Sequence, residues 1–121
     1  MNKSGKSWGE TINLLSLPGF EVHRIVVEPR GFCSRHHHKT KFNAFMVESG
    51  HLEVRVWKDS GLIDLTELFD QDVLVVPPGE DHQFLNPDPV GNAVVYEVYW
   101  SQMNPDDIVR KSKGGIRKKG K

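Results

Sequence analysis

Three consecutive histidines and a fourth in a separate turn are the residues of this chain best suited to chemistry. His36, His37 and His38 form one run, and His82 lies within the segment 77–86, which begins Pro-Pro-Gly. Side chains at i and i+2 of a strand point to the same face, so His36 and His38 project together while His37 is turned away. If the strand bearing His82 lies opposite, three imidazoles converge, and divalent metals favour such a ligand set.

The elements that must position these histidines are predicted to be short strands. Apolar residues alternate with polar ones or form brief apolar runs, and turn residues such as Asp59-Ser60-Gly61 separate them, as in an all-β sandwich or barrel. The predicted strands cover residues 20–27, 42–47, 52–56, 62–69, 73–76, 82–86 and 93–100. Only residues 104–110 suggest a helix, with Asn104 as its cap and Pro105 at its first position.

The charge is balanced overall but uneven along the chain. The 121 residues contain 16 Lys and Arg against 16 Asp and Glu. Seven of the bases and none of the acids lie in residues 110–121, so residues 1–109 carry nine bases against 16 acids, a net charge of −7. The segment 111–121 has one apolar residue, Ile116, and is predicted to be a disordered basic tail. Without interleaved aromatic residues, it does not predict nucleic-acid binding.

Several protein classes are disfavoured by the composition. The single cysteine, Cys33, excludes an internal disulfide and makes a reducing compartment the default. No apolar run is long enough to span a bilayer, and the first residues lack the apolar core of a signal peptide. The sequence thus predicts a single-domain cytoplasmic protein with no membrane partner.

Two motifs around the histidines resemble those of the cupin superfamily. The first family motif reads Gly, five residues, His-x-His, three or four residues, Glu, six residues, Gly. Here it runs from Gly31 through the histidines and Asn43 to Gly50. The second, Pro-x-Gly, two residues, His, three residues, Asn, is matched fully by residues 77–86. The resemblance implies a single-domain cupin, a jelly-roll barrel of the double-stranded β-helix type.

A narrower resemblance extends over residues 6–110. The segments Lys6-Ser-Trp-Gly9, Val22-His-Arg24, the triple histidine, Asn86-Pro87, Tyr96-Glu-Val98 and 106–110 are similar to the C-terminal cupin domain of type II phosphomannose isomerases. This resemblance implies a barrel over residues 1–110, with an N-terminal strand segment and a short C-terminal helix. It further implies a homodimer through the N-terminal segment and a metal-dependent aldose–ketose isomerase acting on a hexose phosphate such as mannose 6-phosphate.

Two departures from the family pattern bear on that activity. The glutamate of the first motif is Asn43 here, and the basic residue that follows the second-motif histidine in the related isomerases is Gln83. A neutral amide is a weaker ligand than a carboxylate, so the metal would keep its full charge and acidify a bound water more strongly. We expect a divalent metal on the three histidines with Asn43 at the edge, zinc first, with iron, manganese or nickel as alternatives.

Glu97 and Arg24 are the candidate catalytic residues, because each lies in an apolar predicted strand. A carboxylate in such a strand is costly to bury unless it is paired or catalytic. Glu97 is the candidate base and Arg24 the candidate contact to phosphate or enediolate. The structural alternative is a simple pair between the two. His23 and His51 are interpreted as ordinary surface histidines.

Asn43 keeps two other functions open. The chain could be a metal-binding cupin of other chemistry, such as oxidation at a three-His iron centre. It could instead be a non-catalytic carbohydrate-binding cupin, in which the missing glutamate reflects lost catalysis.

Overall fold

Nine antiparallel strands form two sheets in the computed structural model, which describes residues 2–101 and 106–117. The larger sheet has the strand order β1-β2-β3-β9-β4-β7, and the smaller has the order β6-β5-β8. The strands are β1 Asn2–Lys6, β2 Gly9–Leu17, β3 Phe20–Val27, β4 Phe42–Ser49, β5 Leu52–Trp57, β6 Ile63–Leu68, β7 Val73–Val76, β8 Asp81–Leu85 and β9 Ala93–Trp100.

Strand alternation supplies the core between the sheets. In β5, Leu52, Val54 and Val56 are buried, while Glu53 and Arg55 lie on the opposite face. The same alternation in the other strands adds inward-facing aliphatic and aromatic residues, so the two inner faces enclose one apolar cluster. Its members are Ile25, Val27, Cys33, Phe45, Val47, Leu52, Val54, Val56, Leu68, Val76, Phe84, Ala93 and Val95.

The all-β prediction is confirmed, and the predicted strands match β3 to β9 within about two residues at each end. The pair β1–β2 was not predicted as a whole, because β1 is polar and joins β2 through backbone pairing, from Asn2 opposite Asn13 to Lys6 opposite Gly9. The described residues include no helix that is both long enough and apolar enough to span a membrane.

The predicted helix over 104–110 is not seen in the part of it that the structure describes. Asn104 and Pro105 lie outside the described residues, and 106–110 form a turn followed by irregular chain. Ile108 and Val109 are exposed. Because most helical stability in proteins comes from packing an apolar face, capping residues alone are not enough here.

The side chain of Asn86 links the end of β3 to the turn between β8 and β9. Its side chain is fully buried and its Nδ2 donates to the carbonyl oxygens of Val27, Glu28 and Gly91 at 3.0, 3.3 and 2.8 Å. Its Oδ1 accepts from the backbone N–H of Asp88 at 2.9 Å. The asparagine of the second motif is therefore a structural residue.

Gly50, the last residue of the first motif, is also structural. Its φ of 97° is in the region that favours glycine. A Cβ added there would lie 2.6 Å from the carbonyl oxygen of Asn92. The glycine thus allows the chain leaving β4 to pass closely beside the start of β9.

Replacing Asn86 should destabilise the fold strongly. Asn86→Ala removes the partners of one buried and two partly buried carbonyl groups and of one partly buried N–H, so we expect the free energy of unfolding to fall by about 3 kcal/mol. Urea denaturation followed by tryptophan fluorescence measures this. Asn13→Ala is the matched control, because the Asn13 side chain forms an exposed hydrogen bond with Ser16, and it should change stability by less than about 0.5 kcal/mol. Equal effects of the two substitutions would contradict the assignment.

Candidate metal centre and cavity

Backbone pairing brings the two histidine segments together. The N–H of His36 donates to the carbonyl of His82 at 3.1 Å, and the N–H of His82 donates back to His36 at 2.8 Å. Beyond this bridge, the N–H of Gly79 donates to the carbonyl of His38 at 2.8 Å. The Pro-Pro-Gly turn therefore fixes the backbone at His38, while β8 fixes His36.

The rings of His36, His38 and His82 converge as the sequence predicts. Their centroids are separated by 4.6 Å (His36–His82), 5.4 Å (His36–His38) and 5.5 Å (His38–His82). One ligand nitrogen of each lies within 4.8 Å of the others, close enough to share an ion. His37 points away, as strand parity requires, and its Nδ1 lies 2.8 Å from Asp81 Oδ1.

Carbonyl groups orient two of the rings. Nδ1 of His82 lies 3.1 Å from the carbonyl oxygen of Glu80, and Nδ1 of His36 lies 2.8 Å from that of Ser34. Because a carbonyl oxygen only accepts hydrogen bonds, each Nδ1 carries the proton and donates it. Each Nε2 is then unprotonated and carries the lone pair, as in metal-binding histidines, and the lone pair of His82 Nε2 faces the Asn43 amide.

The cluster fits a divalent metal on two further observations. Nε2 of His38 and Oδ1 of Asn43 are buried without a hydrogen-bond partner, although buried polar atoms are rarely left so. Burial, reinforced by the neighbouring His36 and His82, lowers the pKa of His38 to about 4. Burial likewise lowers the pKa of His82. Neutral rings are the form that coordinates a metal.

A chain of hydrogen bonds runs from the histidines to Glu97. Asn43, almost fully buried, places Nδ2 3.4 Å from His82 Nε2 and donates to Glu97 Oε2 at 3.3 Å. The hydroxyl of Tyr99 donates to the same oxygen at 2.7 Å. Burial raises the pKa of Glu97, and the bonds from Tyr99 and Asn43 oppose that rise only in part. The result is a carboxyl group of enhanced basicity beside the cluster.

A cavity of about 280 Å³ opens onto Glu97 and His36. Lys6, Thr11 and His23 line it from the large sheet. Sequence reasoning missed Lys6, and it interpreted His23 as a surface residue. Strand alternation could have identified His23 as inward-facing, because it lies two residues from buried Ile25 on the same strand face. In the structure it also pairs with Glu97 on the neighbouring strand.

Arg24 lies on the other face of the sheet, so it does not join the histidines and Glu97. It pairs across strands with Tyr96, and its Nη2 lies 3.5 Å from Glu48 Oε2. The predicted pair between Arg24 and Glu97 is absent for the same reason. Alternation in β3 turns His23 inward and Arg24 outward, and the motif resemblance could not distinguish these neighbours.

The family assignment follows from the motifs and is supported by comparison. A family model described as "Cupin domain" matches residues 23–99, which include all the cluster histidines. The chain belongs to the cupin family. No curated protein matches the chain closely enough to add a function.

Several solved structures share this cupin fold. KdgF from Halomonas sp. is 15% identical, with a TM-score of 0.71 over 90% of this chain and 92% of that one. The Cnp3 cupin domain of Schizosaccharomyces pombe is 16% identical, with a TM-score of 0.71 over 84% and 69%. Lactobacillus farciminis oxalate decarboxylase is 19% identical, with a TM-score of 0.72 over 84% and 31%. At these identities the likeness concerns the fold alone.

Removing one imidazole should abolish tight metal binding. We expect protein loaded with a divalent metal to retain about one ion per chain after gel filtration, and His82→Ala to lose it, because two ligands hold a metal far more weakly than three. Metal analysis by mass spectrometry provides the measurement. His37→Ala is the matched control and should retain the metal. Loss of metal in His37→Ala with retention in His82→Ala would contradict the ligand assignment.

Proposed function

We propose that this cupin is a metal-dependent aldose–ketose isomerase of a small sugar phosphate. The observation that carries the proposal is the placement of a buried carboxyl of raised pKa, Glu97, one amide away from a three-histidine cluster in which burial lowers the pKa of His38 and His82. Isomerisation between adjacent carbons needs these two parts, a Lewis acid and a base that moves a proton. The cavity volume of about 280 Å³ is just below the usual range for drug-sized ligands, so it suits a small metabolite.

His36, His38 and His82 would hold the metal, with Asn43 Oδ1 as a neutral oxygen at the edge. When bound, the metal would supply a positive charge that polarises the carbonyl and hydroxyl oxygens of the open-chain sugar. The Nδ1 contacts to Ser34 and Glu80 keep two Nε2 lone pairs directed into the cluster. Zinc suits a set of imidazole ligands, although the same set also accepts iron, manganese or nickel.

Glu97 is the proposed base. As a carboxylate it would take the proton from C2 of the aldose and return it to C1, while the hydroxyl proton passes from O2 to O1. Its low exposure raises its basicity, and Tyr99 and Asn43 hold Oε2 and limit rotation of the carboxyl group. The carboxylate thereby stays beside the reacting carbons between the two transfers.

Lys6 replaces Arg24 as the proposed contact for the phosphate. It is the basic residue among the described side chains that line the cavity together with Glu97. Lys6 is the last residue of β1, at the turn into β2, and it lines the same cavity as His36 and Glu97. A sugar phosphate could then lie in the cavity with its carbonyl end at His36 and Glu97 and its phosphate at Lys6.

The activity is tested with purified protein reconstituted with zinc, manganese, cobalt or iron. We expect interconversion of mannose 6-phosphate and fructose 6-phosphate, with Glu97→Gln lowering kcat about 10²- to 10⁴-fold because the amide cannot accept the proton. Glu48→Gln is the matched control, since Glu48 lies on the outer face of the sheet with Arg24 and Tyr96, and it should retain activity.

Three results would contradict this proposal. Turnover no higher than that of His82→Ala with every metal would exclude the isomerase. Oxygen consumption with iron would favour an oxygenase, and sugar binding that persists after chelation would favour a non-catalytic module.

Lys6→Ala tests the phosphate contact separately. Loss of one charge-assisted hydrogen bond should raise KM for the sugar phosphate about tenfold and leave kcat nearly unchanged. Steady-state kinetics of the wild type and variant provide the measurement. Lys3→Ala is the control, because Lys3 is engaged with Glu10 at 2.9 Å, and it should have the wild-type KM. An unchanged KM in Lys6→Ala would contradict the assignment.

A further inference from the structure

A second cavity lies on the outer side of the small sheet. Its volume is about 430 Å³, within the usual range of small-molecule sites. Arg55 on β5 and Gln83 on β8 are partners across the strands, and both line it. Strand alternation turns these two side chains away from Val54 and Phe84, which are buried between the sheets. The cavity therefore shares no lining residue with the one that opens onto Glu97.

Arg30 and Phe32 line this second cavity from a segment that runs beside β8. Phe32 pairs with Leu85 in an isolated antiparallel bridge. The N–H of Asn86 donates to the carbonyl oxygen of Gly31 at 2.8 Å. The segment is thus fixed by backbone hydrogen bonds before any ligand enters, which lowers the entropic cost of binding.

The charged groups that line the second cavity are two arginines, and no acidic residue lines it. Among the described residues, the Arg30 guanidinium has neither a hydrogen bond nor an ion pair. Arg55 has one long ion pair there, with Nη2 at 3.8 Å from Glu53 Oε2, and its Nε is buried without a hydrogen-bond partner. Guanidinium groups with unused donors favour a ligand that carries a phosphate or carboxylate.

The backbone at Arg30 is strained, which supports a role for its side chain. The turn Glu28–Gly31 is closed by a hydrogen bond of 2.8 Å from the Gly31 N–H to the Glu28 carbonyl. Pro29 is its second residue, and Arg30, the third, has a φ of 63°. Turns with a positive φ at the third residue favour glycine there, because other residues adopt this conformation at a cost. Strain of this kind is concentrated at functional positions.

Apolar side chains make up the rest of the lining that bears on a ligand. Phe32 is 63% exposed, and Leu85 and Pro87 line the same cavity. An exposed phenyl ring and a guanidinium plane both present surfaces on which a flat ring can stack. The lining is therefore complementary to a molecule with an anionic group and a ring-shaped apolar body.

We propose that this cavity binds a small organic anion in which a phosphate or carboxylate group is joined to a ring. Arg30 and Arg55 contact the anionic group, and Phe32, Leu85 and Pro87 cover the ring. This binding site does not depend on the proposed isomerase activity, because the two cavities have no residue in common.

Titration of the ¹⁵N-labelled protein with phenyl phosphate, followed by NMR, tests the proposal. We expect saturable shifts of the backbone amides of Phe32, Arg55 and Leu85, and weaker binding of inorganic phosphate, which lacks the ring. Arg55→Gln should weaken phenyl phosphate binding about tenfold, because it removes a charge-assisted hydrogen bond. Arg24→Gln is the matched control on the large sheet, where Arg24 pairs with Glu48, and it should bind like the wild type. Benzoate in the same titration shows whether a carboxylate binds more tightly than a phosphate.

Arg30→Gly provides a second measurement, since glycine relieves the strain of the turn while removing the charge. Binding of phenyl phosphate should fall about tenfold, with a melting temperature equal to or above that of the wild type by circular dichroism. Lys6→Ala should leave the shifts at this cavity unchanged, which separates them from the phosphate contact proposed in the other cavity. The absence of saturable shifts at these amides would overturn the proposal. So would wild-type affinity in both Arg30→Gly and Arg55→Gln.

Discussion

The reciprocal hydrogen bonds between the backbones of His36 and His82 are the constraint on which the site depends. They join a segment of otherwise irregular chain to β8, and the same segment is held further by a bond from Cys33 N–H to the Phe84 carbonyl. Ring positions follow from this pairing. Without it, the histidine run would be a loop unattached to β8, and its convergence with His82 would carry a large entropic cost.

The protein fixes the orientation of His36 and His82 and favours the neutral form of His38 and His82. Main-chain carbonyl groups hold the Nδ1 protons of His36 and His82, and burial lowers the pKa of His38 and His82. Asn43 then links the cluster to Glu97. A carboxylate at position 43 would have added negative charge beside Glu97. The asparagine instead keeps position 43 uncharged and donates to Glu97, which is left as the acidic group that lines the cavity.

Local patterns in the sequence were sufficient to predict most of the fold and the histidine cluster. Alternation placed β3 to β9, and i, i+2 parity separated His36 and His38 from His37. The features that the sequence did not predict correctly depend on contacts with residues distant in the chain. β1 is polar and is held in place by backbone pairing with β2, so its own sequence has no hydrophobic alternation that would predict a strand. Arg24 and His23 are adjacent in one strand, so choosing between them required knowing which neighbours face the core. The predicted helix had capping residues but no packing partner.

The most direct test of the account is X-ray absorption at the zinc edge of the reconstituted wild-type protein. The account predicts a first shell of nitrogen or oxygen atoms at about 2.0–2.1 Å, with the outer-shell scattering of three imidazoles and no sulfur. A sulfur ligand at about 2.3 Å would indicate Cys33 instead. That result, or a shell of water-like oxygen without imidazole scattering, would contradict a three-histidine centre.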